Sequence, residues 1–317
     1  MRSLRVLLVA EEAAGLRALE LMAASPHALV AACTSGTGEA GGSSVAGRAR
    51  ALDVPLLPAE LVAEEAFAAQ VRADGIDLLL NVHSLRIAHP AVIAAPRLGA
   101  FNLHPGPLPE YAGLSVPSWA IYNGERSHAV TLHEMDAEVD AGSVAFEERF
   151  AIDEGDTGLT VSAAATRLGV PLIGELLDVA AGGGIPSRAQ DLSRRRWYPR
   201  SGPHEGRVPW GLPARRIVDF VRASDYSPLA SPWGAPLARG SRGDVEVLRA
   251  SPTGEPAAAA PGTVVRADGD AVAVAAADEL VLITRVRADD RSAAPASALV
   301  PGELLDPGPN PVPAVPG

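Results

Sequence analysis

Four short apolar runs in the first third of the chain decide most of what it can fold into. RVLLVA (5–10), ALVAACT (28–34), IDLLLNV (76–82) and GAFNLH (99–104) are short and nearly free of polar alternation. Runs of that length are too short for core helices, and a strand with one solvated face would alternate. They read as strands buried on both faces, which a parallel sheet covered by helices on both sides provides. Helical stretches near 12–24 and 60–73 lie between them, as parallel crossovers require. The predicted class is α/β, with a doubly wound, mostly parallel, Rossmann-like sheet. AVTLHEM (129–135) and SVAFEERFAI (143–152) add two antiparallel strands around the loop DAEVDAG.

Asp156 and Thr157 offer N-caps for a helix through LTVSAAATRL, which accounts for EGDTG (154–158) without a functional role. Pro171 is expected to break or kink that helix, with a second piece resuming as PLIGELLDVAAG. The polar, turn-rich stretch 190–207 reads as a linker. Beyond it the pattern changes to one amphipathic helix, PARRIVDFVRA (213–223), and short strands DVEVLRAS, GTVVRAD, AVAVAAA and ELVLITRVRA. These predict a small antiparallel β-barrel or sandwich. The expected division is a catalytic domain over 1–189, a linker over 190–207, the barrel over 208–306 and a proline-rich tail, extended or disordered, over 307–317. A chain of 317 residues is long enough for two cores.

The chain carries a net charge of −11, and all 27 of its basic residues are arginines. From Arg207 onward 11 arginines face 13 Asp and Glu, so the second domain has no net basic character. Nucleic acid is therefore not the expected partner. No run is apolar enough to span a membrane, and acidic Glu11 and Glu12 follow RVLLVA too closely for a signal peptide. The lone Cys33 supports neither a disulfide nor a metal site, so the cytoplasm is the expected compartment. EEAAG after the first strand lacks the G-x-G-x-x-G fingerprint, so NAD is not expected.

The chemistry concentrates in FNLHPGPLPEYAG (101–113). Asn102 and His104 share one face of a strand, at the carboxyl end where open α/β sheets bind ligands. Pro105, Pro107 and Pro109 then end the ladder and stiffen the exit. A histidine at a strand end can simply cap it; the proline exit and the adjacent amide point instead to acyl transfer to an amine. A neutral imidazole can take the proton an attacking amine sheds, and an amide NH₂ can donate to developing oxyanion charge. Asp136, Glu138 and Asp140 in the later acidic loop are all candidates to orient the histidine.

FNLHPGPLPEYAG followed by HEMDAEVDAG resembles the signature pair of the folate-dependent formyltransferases: Asn-x-His-Pro near a strand end, then Asp-x-Gly a few dozen residues on. The resemblance covers most of the chain, by motif in the first domain and by layout in the second. It implies that Asn102 donates to the formyl oxygen, His104 handles the proton and Asp140 holds His104. It implies 10-formyltetrahydrofolate as co-substrate, with no metal. The pterin would be gripped largely through backbone groups of HSLRIA and DAEVDAG, making Leu85, Arg86, Ala88, Glu138 and Val139 the cofactor-binding candidates.

Gly106-Pro107-Leu108 stands where many members have Ser-Leu-Leu, and YAGLSVPSWAIYNGE replaces the arginine-bearing loop of tRNA-acting members. This acceptor side looks more like formyltransferases of specialised metabolism, acting on siderophore hydroxyornithine, peptide-synthetase-bound amino acids or amino sugars. Tyr111, Ser115 and Trp119 are candidates to line it, Trp119 being equally well placed as a core residue. The expected acceptor is a small-molecule or carrier-bound amine or hydroxylamine-type nitrogen. Two rivals remain: a methionyl-tRNA formyltransferase, and a non-catalytic folate- or partner-binding module. Nothing in the chain specifies an oligomeric state.

Overall fold

The computed structural model describes residues 2–36, 44–289 and 291–306. The proline-rich tail and most of the Gly/Ser loop at 37–44 lie outside the described residues. The chain divides into two compact units. One takes in the chain up to Gly113 with His128–Phe150 and Ala163–Trp197; the other takes in Leu114–Ser127, Ala151–Ser162 and the chain from Tyr198 onward.

The first unit is built on β1 (Arg5–Ala10), α1 (Glu12–Ala24), β2 (Ala28–Thr34), α2 (Val45–Ala51), β3 (Leu56–Pro58), α3 (Phe67–Ala73), β4 (Leu78–Val82), α4 (Pro90–Ile93) and β5 (Gly99–His104). The two-residue β6 (Ala112–Gly113) and helix α5 (Val116–Asn123) precede β7 (Ser127–Glu134), β8 (Val144–Ala151) and the long α6 (Gly158–Gly182). One seven-stranded sheet runs in the order β3-β2-β1-β4-β5-β7-β8. Strands β1 to β5 pair in parallel and β7 joins β5 antiparallel.

The apolar runs are continuous because successive side chains feed two different cores. Val6 and Leu8 of β1, with Leu78, Leu80, Phe101 and Leu103, pack under Ala14, Ala18, Leu19 and Met22 of α1 and Leu172, Ile173 and Leu176 of α6. Leu7, Val9, Leu79 and Ala100 pack on the opposite face against Phe67, Ala68 and Val71 of α3 and Val92 of α4. Each fully buried leucine contributes about 2–3 kcal/mol of transfer free energy, so neither face can be exposed. Cys33 lies in the second of these cores, where burial pushes its thiol up to about 12, so it is no nucleophile.

Of the break or kink expected at Pro171, the break does not occur, since helix α6 runs on across that residue. Proline lacks one amide and strains one turn. Packing wins because Ala165 and Val170 before it and Leu172, Ile173, Leu176 and Leu177 after it all enter one core. A side chain at Gly169 would meet Val130 and Leu103, so α6 lies directly on the sheet there.

In the second unit, after the two-residue β9 (Trp197–Tyr198), α7 (Ala214–Ala223) packs on an antiparallel sheet. Its strands are β10 (Leu237–Gly240), β11 (Gly243–Pro256), β12 (Val264–Asp268), β13 (Ala271–Ala275), β14 (Glu279–Ala288) and β15 (Arg291–Ala293), followed by α8 (Pro295–Ala298). The order is β10-β11-β14-β13-β12, with β15 also on β14. Strand β11 outruns the predicted DVEVLRAS; register shifts between Val247 and Pro256 keep it along β14. No helix among the described residues is long and apolar enough to cross a membrane.

Candidate active site

The carboxyl ends of β4 and β5 and the end of β7 bring four polar side chains into one row. Asn81 and Asn102 are register partners in the parallel β4–β5 pair, and Asn102 faces His133 in the antiparallel β5–β7 pair. Asn81 Nδ2 donates to Asn102 Oδ1 at 2.9 Å, and Asn102 Nδ2 donates to His133 Nε2 at 3.1 Å. His133 Nδ1 donates to the Glu134 carbonyl at 2.8 Å. His104, two residues beyond Asn102, is buried and donates through Nε2 to the Tyr111 carbonyl at 2.6 Å. That carbonyl can only accept, so the neutral ring carries its proton on Nε2 and turns its Nδ1 toward Asp140 Oδ1, 3.7 Å away.

The proline loop after β5 is fastened to β7. His128 Nε2 donates to the Pro105 carbonyl at 2.8 Å and Thr131 Oγ1 to the Gly106 carbonyl at 2.7 Å. Burial pushes His128 down to about 4. The unfolded ring takes a proton near its ordinary 6.5, while the folded ring resists until about 4. His128 therefore contributes stability that is fully present above pH 6.5 and is lost as pH falls through that window, worth about 3 kcal/mol. Denaturant unfolding at pH 7.5 and 4.5 should reveal this drop, and His128→Gln should shrink it.

Asp140 is separated from its two acidic neighbours by its surroundings. Asp136 and Glu138 are exposed, and Glu138 pairs with Arg195. Asp140 is buried, with Oδ1 3.5 Å from His133 Nε2 and Oδ2 accepting the Gly113 N–H at 2.9 Å. Burial works against its charge, but His104, His133 and the Gly113 amide outweigh burial and hold the carboxyl well below the usual carboxylate range. His104 is lowered by its own burial, which exceeds the pull of Asp140. The pair is thus an ionised carboxylate beside a neutral imidazole.

The loop that delivers Asp140 explains the glycine of Asp140-Ala141-Gly142. Asp140 has φ +59°, a left-handed backbone uncommon for a non-glycine residue. A Cβ on Gly142 would lie 2.0 Å from the Glu134 carbonyl oxygen, so only glycine lets the loop close on the end of β7. Gln190 Nε2 ties the loop down through the Asp140 and Gly142 carbonyls, at 3.0 and 2.6 Å. Gly142→Ala should therefore displace Asp140, lowering kcat/KM by about 100-fold and stability by about 1–3 kcal/mol. Steady-state kinetics and denaturant melts check both values.

The other candidate residues are distributed as follows. Leu85 is 59% exposed, and Ile87 in the same segment is 72% exposed. Arg86 pairs with Glu60, its amide donating to Ser84 Oγ, while Ala88 is buried in a core. Val139 is exposed, its carbonyl accepting Arg195 at 2.7 Å. Tyr111 is buried, its ring edge-on to His128, and contributes its carbonyl to His104. Ser115 and Trp119 belong to the second unit, where Ser115 Oγ donates to the Arg200 carbonyl. Trp119 sits half-buried among Tyr122, Tyr198 and Trp233, with Nε1 donating to the Pro199 carbonyl.

Sequence reasoning missed Asn81 and His133. The available signals were an asparagine ending the apolar strand IDLLLNV, and a histidine spaced two from Thr131 on AVTLHEM. The arginine run Arg194-Arg195-Arg196 lies along the site's loops: Arg194 pairs with Glu110, Arg195 with Glu138, and the Arg196 carbonyl accepts the Ala112 amide.

Strand-end amide, imidazole and carboxylate on a doubly wound sheet, with a second antiparallel unit, correspond to a known class. Residues 16–174 match the formyl transferase family and residues 200–303 match the formyl transferase C-terminal domain. The chain is 31% identical over 257 residues to the methionyl-tRNA formyltransferase of Anaeromyxobacter dehalogenans, covering 80% of each. The N-formyltransferase of Helicobacter canadensis, solved with folinic acid and dTDP-3-aminofucose, has a TM-score of 0.68 at 15% identity, over 88% of this chain and 98% of that one. HypX of Aquifex aeolicus, solved with tetrahydrofolic acid, has a TM-score of 0.62 at 21% identity, over 93% of this chain and 47% of that one. The chain therefore belongs to the formyl transferase family, enzymes whose one-carbon donor is a formyltetrahydrofolate.

Proposed function

We propose that this enzyme transfers the formyl group of 10-formyltetrahydrofolate to the nitrogen of a small or carrier-bound acceptor, an amine or hydroxylamine such as hydroxyornithine, an amino acid or an amino sugar. The observation that carries the chemistry is the pairing of neutral His104 with ionised Asp140 beside the Asn102 amide. In the transfer a bond forms from the formyl carbon to the acceptor nitrogen, and its bond to the folate nitrogen breaks. The acceptor nitrogen sheds a proton and the folate nitrogen gains one.

Asn102 spends one N–H on His133 and offers the other to the formyl oxygen, where charge builds as the acceptor attacks. His104 takes the acceptor's proton on Nδ1. The imidazolium so formed has both N–H groups facing acceptors, the Tyr111 carbonyl and the Asp140 carboxylate.

The residues around the row suit the donor. Leu85, Ile87 and Val139 leave apolar surface uncovered, which a flat heterocycle would cover. Leu85, Arg86, Ala88, Glu138 and Val139 are the proposed contacts, acting chiefly through their backbone.

A small acceptor is favoured by the charge of the second unit. Arg215, Arg222, Arg239, Arg266 and Arg287 each face a carboxylate there, which weakens a basic face of the kind tRNA would need. A tRNA acceptor is the second reading, favoured by the 31% identity to a methionyl-tRNA formyltransferase. A gel shift with initiator tRNA separates them: steeply salt-dependent binding supports tRNA, and no complex at moderate salt supports the small acceptor. The single buried cysteine fits work in the cytoplasm.

A further inference from the structure

The row of hydrogen bonds across the strand ends begins and finishes on backbone carbonyls, which gives it one direction when the His133 ring is neutral. Asn81 Nδ2 lies 2.9 Å from Asn102 Oδ1 and 3.4 Å from the Ser84 carbonyl, so both its hydrogens face acceptors. Turning that amide over would set its oxygen against the Ser84 oxygen. Asn102 must then show its oxygen to Asn81 and its nitrogen to His133 Nε2. At the far end the Glu134 carbonyl takes the hydrogen of His133 Nδ1, so in the neutral ring Nε2 keeps the lone pair Asn102 needs, against the competing pull of the Asp140 carboxylate 3.5 Å from that same atom. Asn81 is itself 8% exposed, so water cannot substitute freely for it.

An asparagine amide has a donor end and an acceptor end of nearly the same shape, and only the donor end can stabilise oxyanion charge. We propose that Asn81 is a positioning residue that selects the working orientation of Asn102, with His133 held in the matching tautomer as the other half of the lock. The proposal rests on the assignment of Asn102 to the formyl oxygen. The lock itself, however, can be read without turnover.

Asn81→Asp replaces the donor with a second acceptor. Asn102 then turns its nitrogen toward the new carboxylate and its oxygen toward His133, which must carry hydrogen on Nε2. Ring ¹⁵N NMR, with His133 identified by its loss in His133→Gln, should show Nδ1–H in the native enzyme and Nε2–H in Asn81→Asp. The kcat of Asn81→Asp should fall about 100-fold with donor KM within about threefold, the loss expected for one oxyanion donor. Should Asn81→Asp not fold, Asn81→Ala frees the amide to turn and should lower kcat about tenfold, again with little change in KM. An Nε2–H tautomer in the native enzyme overturns the proposal, as does a kcat for Asn81→Ala within twofold of native. If the native enzyme formylates no acceptor, the His133 spectrum still reports on the lock, so the two failures are told apart.

Discussion

Asp140→Asn should lower kcat/KM by about a thousandfold while leaving the fold intact. The amide that replaces the carboxylate can still accept the Gly113 N–H, so the loop keeps its anchor. What disappears is the negative charge 3.7 Å from His104 Nδ1. Without it the imidazolium formed during transfer loses its counter-charge in a buried site, the kind of loss that costs triad enzymes three to four orders of magnitude. Asp140 also raises the affinity of His104 for protons against the larger effect of burial, so its removal lowers His104 further. The acid limb of the kcat/KM–pH profile should therefore move to lower pH, as residual turnover is measured across pH 5–9. A thermal midpoint within a few degrees of native would show that the effect is chemical.

Asn102→Ala should cost about 100- to 1,000-fold in kcat, close to 3–4 kcal/mol of lost oxyanion stabilisation. Because the donor is expected to be held chiefly through the 83–88 and 135–142 segments, donor KM should change little. The substitution also leaves His133 Nε2 without its donor and Asn81 without its acceptor, so a modest stability loss of about 1–2 kcal/mol should accompany it. A kcat drop without a KM change would identify an interaction made in the transition state rather than in binding.

The sheet was legible because its strands are buried on both faces, and a continuous apolar run that short has few other uses in an α/β chain. Asn102 and His104 were legible for a related reason: polar residues at the end of such a run contradict its pattern. Local reasoning failed where tertiary contacts decide. Pro171 weakens a helix in isolation, yet the core on both sides of it keeps α6 whole. Asn81 and His133 reach Asn102 only through strand register, which is a property of the assembled sheet. Among Asp136, Glu138 and Asp140, composition was neutral. The approach of Gly142 to Glu134, together with the Gly113 amide, brings the third of them beside His104.

The most direct test of formyl transfer to a small nitrogen acceptor is a mass-detected screen of the native enzyme with ¹³C-formyl-labelled 10-formyltetrahydrofolate. The panel should hold hydroxyornithine, free and carrier-bound amino acids, nucleotide-linked amino sugars and charged initiator tRNA. The account predicts one labelled formyl group on a small or carrier-bound amine or hydroxylamine, matched by an equal amount of tetrahydrofolate and abolished in Asn102→Ala. Label appearing only on the tRNA, or only as free formate, would contradict it.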